Sequence, residues 1–573
     1  MTRPIRPRAL KALALLAALA ALAVWAILPP AVLPAPPLAD GGATARGAYH
    51  MHSDRSDGSA SIDEMAAAAQ RAGLQFIIVT DHGDGTRPPD APEYRHGVLV
   101  IDAVELNTSG GHLVALGLPA TPYPFAGAAA DVLADVHRLG GVGFAAHPDS
   151  PRPSLRWEPW DAAVDGIEWV NADSGWRDEA AGSLARSVLS YWFRSAGSMA
   201  ALLDRPDALL ERWDAMGLTR SVPALAAADA HARLGFRQNT DPDLSTFHMP
   251  VPSYEAAFRT FSNHVVLDQA LSGDGAADAA AVLGAIRQGR AFTVLDALAT
   301  PGGLAFTATG GGQTARMGDT LAISADVTLR ARISGPPGTT LVMLRNGQRV
   351  RDAVAMELEV NAGRESGVYR VEAHVPGAPG TPAVPWMLSN PIYVGLVRSV
   401  AAVDPPAEPV SRIPGRTAEV TIEKGARDLS ELVEAQVDDA RDRRFAGEPP
   451  IGWRFGLSPG APAGQFAAVQ LPTIGGLGGV DRVRFIVKAA APIRAWVQLR
   501  TGRETERWGM TFYADSTTRM VDLPLSGFRP IGTTSSAAPP LDRVDSLLFV
   551  VDTLNSRPGA TGAMTISEVA FVR

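Results

Sequence analysis

The stretch Tyr49-His50-Met51-His52-Ser53, followed by Ser56-Asp57-Gly58 and then by Val79-Thr80-Asp81-His82, holds the side chains best suited to chemistry. Residues i and i+2 of a β-strand point to one face, so His50 and His52 present two imidazoles side by side, as a metal site requires. Asp57 and His82 add two more ligand types within one further strand–helix–strand unit. Polar residues recur at the C-terminal ends of other expected strands: Glu105, His112, His147, and the pair Asp229 and His231, again spaced i, i+2. Six of the eleven histidines fall in this set. Six imidazoles and three carboxylates in one pocket cannot readily satisfy one another by hydrogen bonds, and burying such groups unpaired costs several kcal/mol each. Metal ions resolve the crowding. The chain has no cysteine, so disulfides and thiolate ligands are excluded and any metal is held by His, Asp and Glu.

The elements that must position these residues run from Arg46 to about residue 300. Ser61-Ile62-Asp63-Glu64 is a capping box that opens a helix, and Gly73 closes it. Gln75–His82, Val98–Leu106, Gly111–Leu118, Gly141–Pro148, Gly166–Asn171 and Pro223–His231 read as strands, several of them apolar runs with polar residues at their ends. Strands alternating with helices predict parallel βαβ units, and about seven in succession predict a closed barrel whose site lies at the strand C-termini. Residues 150–220 interrupt the rhythm and hold six of the eleven tryptophans. They are expected to pack a helical insertion, with Trp157 or Trp176 a candidate wall of the pocket mouth.

After Leu298 the texture changes to short alternating strands with Gly/Pro turns, including an Asn346-Gly347 hairpin. The expected organisation is an anchor and flexible tether at 1–45, the barrel at 46–300 and an Ig-like β-sandwich at 301–398. A linker at 399–415 and a jelly-roll-like sandwich at 416–573 complete it. In the last region Trp453, Trp496 and Trp508 are candidate sugar-stacking residues, with core packing the competing role. Arg3, Arg6, Arg8 and Lys11 precede an apolar run from Ala12 to Leu28 that ends at Pro29-Pro30. This predicts a signal anchor with the remainder outside the cytoplasm, a cleaved signal peptide being the alternative. The net charge of −8 and the lack of a basic run after residue 11 argue against a nucleic-acid surface.

The pattern His-x-His-Ser…Ser-Asp-Gly, Thr-Asp-His, Glu…Gly-Gly-His, Ala-His-Pro and Asp-x-His resembles the PHP (polymerase and histidinol phosphatase) family over residues 46 to about 300. The Ser389-Asn390-Pro391-Ile392-Tyr393 ending of the following sandwich is similar to the subgroup that includes carbaryl hydrolase. The resemblance implies a distorted (β/α)7 barrel with two to three divalent ions, Zn, Mn or Fe. It further implies that His50, His52, Glu105 and Asp229 hold one ion, and that Glu105 bridges to a second completed by His112 and His147. Asp57, His82 and His231 would hold the third.

Three divalent ions would bring +6 against −3 from Asp57, Glu105 and Asp229, so that even with a bridging hydroxide the site stays cationic and attracts an anionic ester. The reading that follows is a metal-dependent hydrolase, preferably a phosphoesterase for mono- or diesters, with Glu105 and Asp229 at the reacting centre. Arg233 and Arg237 are candidate anion clamps, and His96, Asp81 and Asp84 candidate proton donors. The rival readings are a carboxylic or carbamate ester hydrolase and a surface glycan-binding protein with a scaffold barrel.

Overall fold

The computed structural model describes residues 22, 24–38, 42–235, 248–396, 451–457, 459, 465–473, 476–502 and 506–572, together with the backbone of strands at 409–412, 421–425 and 436–438. Two compact units emerge. The first comprises residues 1–83, 89–119 and 128–400, and the second comprises 84–88, 120–127 and 401–573.

In the first unit β1 (Ala43–Tyr49), β2 (Phe76–Val79) and β3 (Val98–Asp102) pair in parallel. α1 (Ile62–Arg71) connects β1 to β2, and its Ser61–Glu64 capping box forms reciprocally as expected. Gly73, at φ 76°, follows its end. β3 runs through Ala103 into β4 (Val104–Thr108), and β2 leads to a two-residue strand, His82–Gly83, that pairs with Glu105 and Leu106. β5 (Gly111–Leu116) follows, then α2 (Ala129–Arg138), β6 (Val142–Ala145) and β7 (Gly166–Asn171). α3 (Ala181–Tyr191), α4 (Ser195–Ala200) and α5 (Asp207–Gly217) form the helical insertion, and β8 (Ala224–Ala227) comes next. A parallel bridge from Met51 to Ala230, with Ala228 N donating to Tyr49 O at 2.9 Å, returns β8 to β1 and closes the ring.

The strand directions depart from expectation at one point. β5 is antiparallel to both β4 and β6, because only two residues, Ser109 and Gly110, separate it from β4. Such a connection makes a hairpin and cannot make a crossover. The boundary expected near residue 300 is not a break either. After α6 (Tyr254–Thr260), β9 (Ser262–Leu267) pairs antiparallel with β1. After α7 (Gly275–Arg287), β10 (Ala291–Val294) pairs with β9 and also with Met387–Ser389 of the sandwich. One 12-stranded sheet therefore runs from the barrel wall into the sandwich. The sandwich's other layer is a four-stranded sheet spanning 303–363, and Asn346-Gly347 makes the expected tight turn at φ 52° and 78°.

Two segments expected to be irregular are paired. Leu33–Ala35, inside the expected tether, forms a parallel pair with Ala299–Pro301. Pro409–Arg412, inside the expected linker, pairs with the strand Thr561–Val572. Residues 1–21 and 23, most of the expected membrane segment, lie outside the described residues, and among those described no helix is long and apolar enough to cross a membrane. The second unit contains two six-stranded sheets, every pair antiparallel, around one apolar core. Trp453 and Trp508 are buried in that core and offer no open face for a sugar, whereas Trp496 is partly buried and packs beside Ala468 and Leu548 in a small cluster of its own.

Candidate metal centre

The strand ends leave regular geometry where the candidate residues begin. His50 (φ 63°), His147 (φ 31°) and Asp229 (φ 43°) are all in the left-handed region. A non-glycine residue there costs on the order of 1–3 kcal/mol, and such strain persists where the surroundings over-determine it, most often at functional sites. The loop after His52 is pinned by Asp81, which accepts from Ser53 N (2.7 Å), Ser53 Oγ (2.6 Å) and Ser56 Oγ (2.6 Å). Gly58 lets that loop close: a Cβ there would meet His52 O at 2.0 Å and the Tyr254 hydroxyl at 2.7 Å. Tyr254 in turn donates to His52 O at 2.6 Å.

All nine residues singled out from the sequence meet at this end of the barrel. Four overlapping groups form: His52 with Asp57, His82 and His231; His50 with His52 and Asp229; His50 with Glu105 and His147; and His82 with Glu105 and His112. In each, the potential ligand atoms lie within 4.8 Å of one another. Glu105 sits at the centre with its two oxygens facing different partners. Oε2 is 3.1 Å from His50 Nε2 and 3.2 Å from His52 Nε2, while Oε1 is 2.7 Å from His112 Nδ1 and 3.0 Å from His147 Nε2. Asp229 Oδ1 is 3.4 Å from Nε2 of both His50 and His52.

Three imidazoles are held by the nitrogen that faces away. His50 Nδ1 donates to Glu168 Oε1 (2.6 Å), His147 Nδ1 to Leu155 O (3.1 Å) and His231 Nδ1 to Asp229 O (3.0 Å). Each bond fixes the tautomer and turns Nε2 inward, the usual arrangement behind a ligating histidine. His52 Nδ1 and His82 Nδ1 are buried with no hydrogen bond reaching them, their nearest carboxylate oxygens standing 3.4 Å away.

The protonation states follow from this crowding. Burial opposes ionisation of Glu105, but His50 beside it and bonds from His112 and His147 outweigh burial and hold its carboxyl well below the usual range. Burial likewise opposes ionisation of Asp229 and Asp57, and the surrounding histidines reverse the outcome for both. Against the opposing effect of burial, Glu105 lifts His147 to about 9 and Asp57 lifts His231 to about 10. His50 is also raised, by Glu168 above all after burial is overcome. His82 goes the other way, lowered chiefly by burial. The His52 and His231 rings stack with centroids 4.3 Å apart. A proton on both rings at that separation would cost about 4 kcal/mol of repulsion at an effective dielectric near 20. In the metal-free protein, protons thus supply countercharge that the site accommodates poorly.

Sequence reasoning missed Glu168. It is fully buried on β7, binds His50, accepts from His147 N at 2.7 Å and from Asn171 Nδ2 at 3.0 Å. Asn171 Nδ2 also reaches Asp229 Oδ2 at 3.1 Å, so one carboxylate–amide pair ties three candidate ligands together. Glu168 thus adds a fourth carboxyl group to the three that the sequence suggested. Glu168→Gln should weaken metal affinity and activity by about 10–100-fold with the fold retained, the usual effect of losing a partner behind a ligand. Metal titration followed by calorimetry checks it, and unchanged affinity would reduce Glu168 to a packing role.

The remaining candidates divide. Arg233 reaches Asp57 O at 3.4 Å and stands at the edge of the cluster, whereas Arg237 lies outside the described residues. Asp81 is occupied by the serine loop. His96 pairs with Asp63 at the N-terminal end of β3, the opposite end of the strand from the cluster. Asp84 accepts from Thr86 N within its own turn. Trp157 is fully buried and lines no mouth, while Trp176 is partly exposed on the turn after Asn171.

The sequence profile of the PHP domain matches residues 48–106, the stretch that carries His50, His52, Asp57, His82 and Glu105. No curated protein matches the sequence. Among solved structures, the fold is similar to a two-domain protein containing a predicted PHP-like metal-dependent phosphoesterase from Bacteroides vulgatus. That likeness is at 15% identity over 63% of this chain and 98% of that one, with a TM-score of 0.29. It is similar also to the family 11 carbohydrate-binding module of a cellulosomal cellulase from Clostridium thermocellum, at 14% identity over 29% of this chain and 94% of that one, with a TM-score of 0.23. None of these likenesses singles out the carbaryl-hydrolase subgroup.

Proposed function

We propose that the chain is a metal-dependent hydrolase of phosphate mono- or diesters, acting outside the cytoplasm and held to the membrane by its N-terminal apolar segment. The observation that carries the reading is the division of Glu105, whose two oxygens face separate sets of histidine nitrogens, Oε2 those of His50, His52 and His82 and Oε1 those of His112 and His147. The residues fit divalent ions on their own chemistry. Their nitrogens and carboxylate oxygens converge, His52 Nδ1 and His82 Nδ1 are orphaned, and the available countercharge is protons on the crowded rings of His147 and His231. Bound there, such ions would supply Lewis-acid charge and lower the pKa of a water.

The protein's own contribution is orientation and charge. Glu168, Leu155 O and Asp229 O keep three imidazoles turned inward, and the low proton affinity of Glu105 and Asp229 keeps both carboxylates ionised at neutral pH. Asp229 Oδ2 is engaged by Asn171, which leaves Oδ1 turned toward Nε2 of both His50 and His52 as the oxygen available to a metal ion. Arg233 at the rim is placed to hold a non-reacting oxygen of an anionic ester.

The test is a side-by-side rate assay on p-nitrophenyl phosphate, bis(p-nitrophenyl) phosphate and an aryl acetate, repeated with Zn, Mn and Fe. A phosphate ester is expected to turn over fastest. Fast acetate cleavage with phosphatase activity at background would replace the phosphoesterase reading with a carboxylic ester hydrolase.

A further inference from the structure

α3 is built inside out. On a surface helix of a water-soluble domain the apolar stripe faces the core and the polar residues face solvent. Here Ser187 and Ser190 are buried, Ser190 Oγ meeting Ser198 Oγ of α4 at 2.6 Å. Val188 and Leu189, and Trp192 and Phe193 just beyond the helix, are 63%, 59%, 71% and 60% exposed. The acidic residues Asp178 and Glu179 stand before the helix begins, so the apolar groups gather at its C-terminal end.

The same place receives the described end of the N-terminal apolar run. Arg186 Nε donates to Ile27 O at 3.1 Å and Arg194 Nη1 to Pro29 O at 2.5 Å, while a Cβ on Gly197 would meet Pro29 Cγ at 3.0 Å. Leu22 and Trp25 on that segment are themselves 59% and 73% exposed. Six of the exposed large apolar side chains among the described residues therefore belong to two adjoining segments, and two are tryptophans, the residue type enriched at membrane–water interfaces.

We propose that the outward face formed by Val188, Leu189, Trp192 and Phe193 is a bilayer-docking surface that seats in the interfacial layer next to the N-terminal segment. The argument for lipid as the occupant is this continuity. The arginine bonds fix where the apolar run leaves the domain, and an exposed apolar patch adjoining that exit is carried by a helix whose Ser187 and Ser190 are turned inward. An interfacial helix with an aromatic-aliphatic face buries it at the headgroup–acyl boundary. The proposal rests on the membrane-held reading above and adds that the barrel lies against the bilayer rather than swinging from a tether.

The absence of cysteine gives a clean test. Leu189→Cys and, as a control on the sandwich, Val354→Cys are both exposed positions and each yields a single labelling site. The full-length chain, labelled with a nitrobenzoxadiazole fluorophore, is reconstituted into phosphatidylethanolamine–phosphatidylglycerol vesicles and floated. The probe at residue 189 should be quenched by lipid-borne nitroxides and reduced by aqueous dithionite about tenfold more slowly than the probe at 354. Adding Trp192→Ser and Phe193→Ser should bring the two rates together while flotation persists. Floating protein with equal rates at the two sites overturns the docking face and leaves the membrane-held reading standing. Failure to float overturns both. Protection without nitroxide quenching, fading as protein is diluted among lipid, would assign the face to a second copy of the chain and overturn the proposal.

Discussion

Asp229→Ala and His50→Ala should each bring hydrolysis to background with the fold retained. Asp229 is, with Glu105, a carboxylate shared by His50 and His52, and His50 links Glu105, Asp229 and Glu168 in one contact set. Removing His50 leaves two of the four clustered groups without a member, and removing Asp229 leaves one of them without its carboxylate. Both substitutions place alanine at positive φ, so a modest stability loss is expected, on the order of 1 kcal/mol. Asp229→Asn tolerates that backbone and removes only the charge, which makes it the control for folding. Circular dichroism and bound metal per chain should show folded protein with reduced loading, and near-normal turnover in either alanine variant would refute the ligand assignment. A linked result concerns protons. His147 and His231, at about 9 and about 10, are protonated at pH 7 in the metal-free protein. Because these pKa values are raised, the protons are held below them, and a metal must expel them to bind. Titration with Zn at pH 7 in dilute buffer should release protons, and loading should fall as the pH is lowered.

The parts of this site legible in the sequence were those obeying a strict period. His50 and His52, and Asp229 and His231, announce themselves because i, i+2 spacing on a strand fixes a shared face, and the Ser61–Glu64 box forms because its bonds are local. Glu168 was hidden by a bulge. The pairing of β7 with β8 shifts between Glu168 and Val170, which changes the alternation and brings Asn171 onto the carboxylate three residues earlier. A charged residue between Ile167 and Trp169 in an otherwise apolar run was the available signal. Strand direction was also invisible: the apolar pattern of β5 is the same whichever way it runs, and only its two-residue connection marks a hairpin. The Leu33–Ala35 pairing was obscured because Pro and Ala suggest a tether, while the partner that orders it, Ala299–Pro301, lies far along the chain.

Arg370→Met is expected to destabilise the first unit by about 3–5 kcal/mol, the cost of leaving buried carboxylates without their cation. Arg370 is 1% exposed on the strand Gly367–His374. Its Nε and Nη2 grip Asp214 of α5 at 2.8 Å each, and Nη1 reaches Glu372 at 2.5 Å. Arg205 adds a bond to Glu372 at 2.9 Å, and His374 Nε2 approaches its other oxygen at 3.1 Å. The fork geometry is why Arg370→Lys should also lose stability, since an ammonium cannot bond both Asp214 oxygens in parallel. Thermal unfolding should shift down on the order of 10 °C for the methionine variant. The network carries a pH signature. Burial raises the proton affinity of Glu372, but His374, Arg370 and Arg205 pull it down to about 2. A depressed carboxyl stabilises the folded state above its unfolded pKa and ceases to do so as pH falls through the folded value. The wild type should therefore lose part of its stability between about pH 4.5 and 2, and without Arg370 that loss should begin at higher pH. An acid-unfolding midpoint unchanged by Arg370→Met would show that the cation does not set the ionisation of Glu372.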